Sequence, residues 1–463
     1  MLSLSSRLAI SRLTDNRSGL DALAVLAFVV TSWLALTVAG GTTMFIERAA
    51  NPPQPFLDAA EGSELPMSVA QQASMYPALA TIACALLVIP IFTLGGGAAR
   101  LGASGRARRL ASLRLIGMTG GEVVLMSVIE SVVLSTLGAL IGVGLWLISL
   151  PAWSAVNFLG EPLHAGEMLM PVWLAIAVIA AIVLLAALST LIGLQRVRIS
   201  PLGVAKRESA RGVTIWRVVA FLATVAGFFV IAQGFQIRTA SLVGFMIIGG
   251  FIAAVVFGMN LIGPFIIQLV ARPLTRTSNP SFLLAMRRLI ADPKAAWRNV
   301  SAVALLGIIA AFTVAVPADL GVNDELIAIQ FRDMRTGAII TLAIGMLLAA
   351  TSTLINQASA TVDRAEQTIA LTRMGSPFKV FTSARVSQVL LPMITTLAIS
   401  IPVGLLLASP FITQVSSLAS SMTTTALTVA GFVGAGIALS LIAALACSPI
   451  ERRILAADYR PND

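Results

Sequence analysis

The stretch MPVWLAIAVIAAIVLLAALSTLIGL, residues Met170–Leu194, contains no charged side chain. An apolar run of this length can cross the hydrocarbon core of a bilayer as a single α-helix. Nine similar runs predict, with the first, an all-α polytopic membrane protein of about ten transmembrane helices. The other predicted spans are Leu20–Phe45, Tyr76–Gly95, Val123–Leu150, Ile215–Ala232, Ser241–Val270, Val300–Val316, Ala338–Ile355, Val386–Ser409 and Thr424–Cys447.

The basic residues lie mainly on one side of these spans. If the N-terminus is cytoplasmic, the cytoplasmic segments carry 27 of the 31 Lys and Arg residues, and the outer loops carry only Arg48, Arg238, Arg332 and Arg335. Because positive residues are retained on the cytoplasmic side, we expect both termini there, in a bacterial plasma membrane. The charge is spread over short segments with few aromatic residues, which favours contact with membrane lipid over nucleic acid.

The chain is predicted to contain a duplication. Leu113–Thr119 after the second span resembles Leu371–Pro377 after the eighth, and Ser-Pro pairs at Pro201 and Pro449 follow the fourth and tenth spans. Because both copies begin on the same side, the halves form a parallel duplication. The predicted units are residues 1–210 with spans one to four, a two-span linker over 211–278, and residues 279–463 with spans seven to ten.

The predicted outer loops are short. The longest runs over Glu47–Met75 and contains four prolines, and the loop between spans seven and eight covers only Ala318–Gly337. Segments of this size and composition are not expected to build a packed domain. We therefore expect no large outer receptor domain.

The segment before the seventh span has the spacing of an amphipathic helix. Its apolar residues recur at helical intervals, and Arg287 and Arg288 are predicted to face away from them. Such a helix is expected to lie in the membrane interface. The apolar face is formed by Phe282, Met286, Leu289 and Ile290.

Two segments on the predicted cytoplasmic side join basic residues to a short apolar ridge that ends in glycine. The charges suit a polar partner surface, the apolar residues suit a groove, and glycine suits an abrupt helix end. From the residues alone, a protein-docking surface and an ordinary membrane-surface loop fit equally well. The candidate contacts are Arg109, Leu113, Arg114, Ile116, Gly117 and Met118 in the first loop, and Glu366, Leu371, Arg373, Met374 and Gly375 in the second.

Three polar residues within the predicted spans are further candidates: Glu130, Asn260 and Gln388. An ionisable group in a membrane is costly and therefore suggests function, although a helix–helix hydrogen bond explains Glu130 as well. Asn260 and Gln388 favour the interhelical role. Gly138 and Gly142 indicate close helix packing after Glu130, and no clear counterparts are evident in the ninth span.

The sequence contains no recognisable enzyme motif. It lacks the pattern G-x-x-x-x-G-K-[ST], so this chain is not expected to hold ATP in a P-loop. Its single histidine, His164, lies in a predicted outer loop, and a metal site needs several ligands. We therefore expect no catalytic residue, metal or cofactor bound by this chain.

The segment Arg364–Pro377 resembles the signature of the FtsX-like permease family, in which an Arg–Glu pair precedes an apolar run with Ala and Arg that ends in Gly. Arg109–Thr119 resembles it less fully, because Arg108 stands where the signature has Glu. Gln388 stands where the first copy has Glu130. The resemblance covers roughly residues 75–207 and 336–455, including Pro201 and Pro449 after the last span of each unit.

This resemblance implies the membrane subunit of an ABC transporter of the MacB, lipoprotein-releasing and bacitracin-resistance type. The two loops would dock on two copies of a separate cytoplasmic P-loop ATPase, which would bind ATP and Mg²⁺. The expected function is export or mechanical displacement of an amphiphilic substrate, such as an antimicrobial peptide, a drug or a lipid-like compound.

Two alternatives remain open. An ion-coupled secondary transporter also fits parallel repeats, but it usually needs several intramembrane ionisable residues, and Glu130 stands nearly alone. A transmembrane signalling subunit without net transport would need a sizeable outer contact surface, which the short loops do not offer.

Overall fold

The computed structural model describes residues 19–63, 68–100, 119–199, 215–233, 242–315, 324–412 and 422–452. In this part of the chain all ten predicted spans are found as helices, and the protein is an all-α, membrane-protein-like bundle. These long helices are α1 Gly19–Ala50, α3 Val69–Arg100, α4 Gly120–Ser149, α5 Val172–Ile199, α6 Ile215–Gln233, α7 Leu242–Ala271, α9 Pro293–Ala315, α10 Glu325–Asp363, α12 Phe378–Ile412 and α13 Met422–Leu445. Nine of them are long and apolar enough to cross a membrane, and the tenth, α6, has a shorter apolar part.

Shorter elements connect the long helices. They are the helices α2 Gln54–Glu61, α8 Pro280–Ala291 and α11 Ala365–Arg373, the antiparallel strands β1 Asn157–Phe158 and β2 Glu161–Pro162, and 3₁₀ turns at Leu150–Ala155, Ala165–Met168 and Pro273–Thr275. The strands form a small hairpin between α4 and α5.

Several helices extend well beyond the predicted spans because polar residues cap them. Thr119 and Glu122 form a capping box at the start of α4. The Asp324 carboxylate accepts hydrogen bonds from the first N–H groups of α10. The prediction of an outer loop over Ala318–Gly337 is therefore wrong from Glu325 onwards, where the chain is helical.

The two halves pack their helices in the same order. In the first half, α1 contacts α3 and α4, and α5 packs against α3 and α4. In the second half, α9 contacts α10 and α12, and α13 packs against the same two helices. Helix α7 contacts α3 from the first half and both α9 and α12 from the second. The predicted domain boundaries themselves stay a prediction.

Close approach of the first and third helices is achieved in both halves by small residues. In α4, a Cβ added at Gly138 would lie 2.5 Å from Phe28 Cβ, and one at Gly142 would lie 2.9 Å from Val29 O. In α12, a Cβ added at Gly404 would lie 2.5 Å from Ile308 O.

The second half therefore does have a counterpart to the glycine face of α4, contrary to the sequence-based expectation. Ser400 and Gly404 occupy the contacting positions, and Gly307 on α9 lies against Ser400. The sequence did not show this counterpart because Ser400 stands in place of one glycine and Gly307 lies on the facing helix. Close packing of this kind is typical of helices in membranes.

At one end of the bundle, short segments pack into what we call the cap. The cap comprises α2, residues Leu150–Met170 and the start of α10 up to Asp333. These segments share one hydrophobic cluster with the adjacent helix ends. Its buried residues include Met44, Phe56, Tyr76, Trp146, Phe158, Leu159, Leu163, Met168, Leu326 and Ile329. The expectation that the outer loops build no packed domain considered each loop alone, whereas this cluster combines several segments with helix ends.

Candidate functional site

The second predicted coupling loop forms a short exposed helix, α11, at the end of the bundle opposite the cap. Arg364 ends α10 and also precedes α11, so the two helices are separated by a single bend. Thr368 is the buried residue of α11, and Leu371 is half-buried. Glu366, Arg373 and Met374 are exposed, and Met374 is 72% exposed.

Gly375 ends α11 abruptly, through backbone geometry that requires glycine. Its φ of 90° lies in the left-handed region. The Gly375 N–H donates to Thr372 O at 2.9 Å, and the Ser376 N–H donates to Leu371 O at 3.1 Å. These two bonds define a Schellman motif, which leaves the large apolar Met374 side chain at the exposed corner.

The first predicted coupling loop lies outside the described residues. This applies to Arg109, Leu113, Arg114, Ile116, Gly117 and Met118. Their proposed role stays a prediction from the sequence.

The intramembrane candidates are not brought together. Asn260 in α7 accepts a hydrogen bond from Trp297 Nε1 at 3.0 Å and donates to Val256 O at 3.1 Å, as expected of an interhelical contact. Gln388 in α12 accepts from Arg364 Nη1 at 3.2 Å. Glu130 is half-buried in α4, in the other half of the molecule.

The predicted amphipathic helix is present as α8, and its apolar face is buried. Asn279 caps it, Pro280 occupies its first turn, and Met286 and Leu289 are buried against the bundle. Phe282 and Ile290 are partly buried and pack against the same core. The helix contacts α12 and α7, so its apolar face packs on protein.

Arg287 is exposed as predicted, but Arg288 does not face away from the bundle. It points towards what we call the arginine cluster: Arg288, Arg364, Arg385, Gln388 and Glu451. Burial, together with the nearby positive charges of Arg364 and Arg385, lowers the pKa of the Arg288 guanidinium to about 10. The helical spacing predicted the wrong direction for the Arg288 side chain, because a long side chain at the edge of an apolar face can turn inward.

A buried ion pair forms the centre of the arginine cluster. Arg385 Nη2 in α12 lies 2.6 Å from Glu451 Oε2, and both side chains are less than a tenth exposed. Arg385 Nη1 also donates to Ser448 Oγ at 3.3 Å. The sequence placed Arg385 among the cytoplasmic charges but gave no signal of its partner, which lies 66 residues away.

A second buried polar site, in the cap, was also missed. Asp333 is only 5% exposed, and its Oδ2 accepts hydrogen bonds from Tyr76 Oη at 2.8 Å and from the Leu159 N–H at 2.8 Å. Leu159 has a φ of 56°, which a bulky residue rarely adopts. The carboxylate thus fixes a strained turn of the first half to a helix of the second.

Arg48, near the end of α1, binds the hairpin of the cap. Its guanidinium contacts both oxygens of Glu167 and donates to the carbonyl groups of Phe158, Glu161 and Pro162. A buried arginine is tolerated when its donors are satisfied in this way. Arg48 was assigned to an outer loop, but it is the last basic residue of α1 and is buried.

His164 remains largely exposed, and its Nδ1 lies 2.9 Å from Glu167 Oε1. Across the described ranges, no group of three or more His, Cys, Asp or Glu side chains is arranged to hold a metal ion.

No protein-family model matches this chain, and no curated protein matches it in sequence.

Proposed function

We propose that this chain is the membrane subunit of an ABC transporter, of the FtsX-like permease type. Separate ATPase subunits would hydrolyse ATP, and their movement would export or displace an amphiphilic substrate. The observation that carries the proposal is α11: an exposed helix with Met374 at its tip and Glu366 and Arg373 on its surface. An exposed apolar anchor flanked by charges suits a groove on a protein partner.

Helix α10 supplies a mechanical connection for such a mechanism. Its 39 residues extend about 58 Å at 1.5 Å per residue, much longer than the hydrocarbon core of a bilayer. The helix joins the cap at Asp333 to α11 at Arg364. A push on α11 would therefore reach the opposite end of the bundle through one continuous helix.

The proposal is tested with a P-loop ATPase encoded in a neighbouring reading frame, co-expressed with the full chain. Met374→Asp places a charge at the exposed tip of α11, and it should reduce co-purification of the ATPase by about tenfold or more. Ala152→Asp makes the same charge change at an exposed position in the cap and serves as the control. Equal co-purification of both variants with the ATPase would contradict the proposal.

The cap favours one second candidate, a transmembrane signalling subunit without net transport. Its packed core gives the bundle an ordered surface at that end, which isolated short loops would lack. This candidate requires a partner at the cap and none at α11. Capture of a cap-binding protein by a variant carrying Met374→Asp, with no ATPase bound to the unchanged chain, would favour it.

The ion-coupled transporter stays an alternative from the sequence. Asp333, Arg385 and Glu451 are also buried, but they lie in the cap and in the arginine cluster, outside the predicted spans. Asp333 and Glu451 are also engaged in structural contacts. Transport driven by a proton gradient in vesicles without ATP would decide for this alternative.

A further inference from the structure

The arginine cluster contains more cationic groups than its buried carboxylate can neutralise. It lies where α8, the bend between α10 and α11, α12 and the chain after α13 meet. Glu451 is paired with Arg385 at 2.6 Å. Glu451 also attracts Arg288 at longer range, so one buried acid faces the guanidinium groups of Arg385, Arg288 and Arg364.

Two further acids act on Arg364 but do not fill the cluster. Asp292 and Asp363 are both exposed. Asp292 accepts a hydrogen bond from the Ala295 N–H at 3.0 Å, and Asp363 accepts one from Ser359 Oγ at 3.3 Å. Both acids are thus turned towards helix ends and solvent.

The Arg288 side chain is largely buried, yet its guanidinium donates no hydrogen bond within the described part of the chain. Its pKa, lowered by burial to about 10, still leaves it positively charged at neutral pH. A buried cation without a hydrogen-bonded partner is costly, and an anion brought by a ligand removes that cost.

Gln388 provides an independent sign of a missing acceptor. Its Oε1 accepts from Arg364, whereas its Nε2 is buried and has no hydrogen-bond partner among the described residues. The residue is only 7% exposed. By alignment of the two loops on their glycines, Gln388 occupies the position of Glu130, so a carboxylate in one half is replaced by a neutral amide in the other.

We propose that the arginine cluster is a binding site for the phosphate group of an anionic membrane lipid, held by Arg288, Arg364 and Gln388. A phosphate offers several acceptor oxygens to guanidinium and amide donors at once. Lipid is the favoured source because the cluster lies between helix ends next to apolar spans, where basic pockets collect lipid headgroups. The site does not depend on whether the chain binds an ATPase.

The test measures lipid binding to the purified full chain in detergent. The chain is titrated with dioleoylphosphatidylglycerol, and bound lipid is counted by native mass spectrometry, with dioleoylphosphatidylcholine as the neutral reference. Arg288→Gln removes one donor, and Gln388→Glu places a carboxylate beside Arg364 that competes with the phosphate. Arg287→Gln removes an equal charge from the exposed neighbour and is the matched control.

We expect Arg288→Gln and Gln388→Glu each to weaken phosphatidylglycerol binding by about tenfold, and Arg287→Gln to change it less than about twofold. Gln388→Glu should also keep or raise the heat-denaturation midpoint, which separates loss of the ligand from loss of the fold. Displacement of the lipid by inorganic phosphate would support the site and would show that it also binds free phosphate. Equal loss in all three variants, or no loss in the first two, would overturn the proposal.

Discussion

In the cap, the buried Asp333 carboxylate joins α10 of the second half to Tyr76 and Leu159 of the first. At the opposite end, the buried Arg385–Glu451 pair joins two segments of the second half only. Both ends bury charge, but the cap ties the halves to each other, whereas the arginine cluster holds the second half together. If the two halves move relative to each other, we expect them to rotate about the cap, where they are joined. Their displacement would then be greatest at the end with the arginine cluster.

The largest effect is expected at the arginine cluster. Glu451→Gln removes the acid that neutralises a buried arginine and should lower the free energy of unfolding by about 3–5 kcal/mol. Arg385→Gln should cost less, because Arg288 remains close enough to act on Glu451. Unfolding in bicelles measures both.

The combined change Arg385→Met with Glu451→Leu removes both charges and should recover most of the loss. A double variant as unstable as Glu451→Gln would show that the cluster does not behave as a buried ion pair.

The second largest effect is expected in the cap. Asp333→Ala leaves the Tyr76 hydroxyl and the Leu159 N–H without their acceptor, at about 1–3 kcal/mol for each buried donor. The heat-denaturation midpoint should fall clearly, whereas the exposed Asp58→Ala in α2 should leave it nearly unchanged. Equal midpoints for the two variants would show that the Asp333 contacts between the halves do not stabilise the fold.

An intermediate loss of stability is expected at the small-residue contacts. It should be similar in both halves, unlike the effects of the buried charges at Asp333 and Glu451. Gly142→Ala and Gly404→Ala force backbones apart and should each cost about 1–3 kcal/mol. Gly144→Ala and Gly434→Ala meet nothing within 4 Å and should be neutral or slightly stabilising, because Ala favours helix. A loss confined to one half would mean that the two halves do not share this packing.

The smallest effect is a pH dependence of the cap. Burial alone would raise the pKa of the Glu167 carboxyl, but hydrogen bonds from Arg48 and His164 outweigh burial and hold it below its ordinary value. A carboxylate with a lowered folded-state pKa stabilises the fold above its ordinary value of 4.5, and this contribution is lost as pH falls through the folded-state value.

The heat-denaturation midpoint, followed from about pH 7 to pH 3, should therefore decline in acid, and Glu167→Gln should flatten that part of the profile. If the midpoint falls with pH equally for the unchanged chain and for Glu167→Gln, the Glu167 carboxyl does not cause the loss of stability in acid.

Part of the candidate site could be predicted from local sequence. Gly375 as a helix end and the apolar face of α8 follow from spacing alone, and the structure contains both. The arginine cluster could not be found this way, because Arg288 turns inward only in the packed bundle. Nor did any local pattern identify Asp333, which looked like a loop residue between two apolar runs.

The sequence by itself determined the ten helices, since a bilayer offers no partner for backbone N–H and C=O groups and an apolar run of sufficient length must satisfy them internally. Only the tertiary structure decided which buried charges meet. Asp333 and Tyr76 are separated by 257 residues, and Arg385 and Glu451 by 66. Helical periodicity describes neighbours within a few turns, whereas these contacts depend on how whole helices pack.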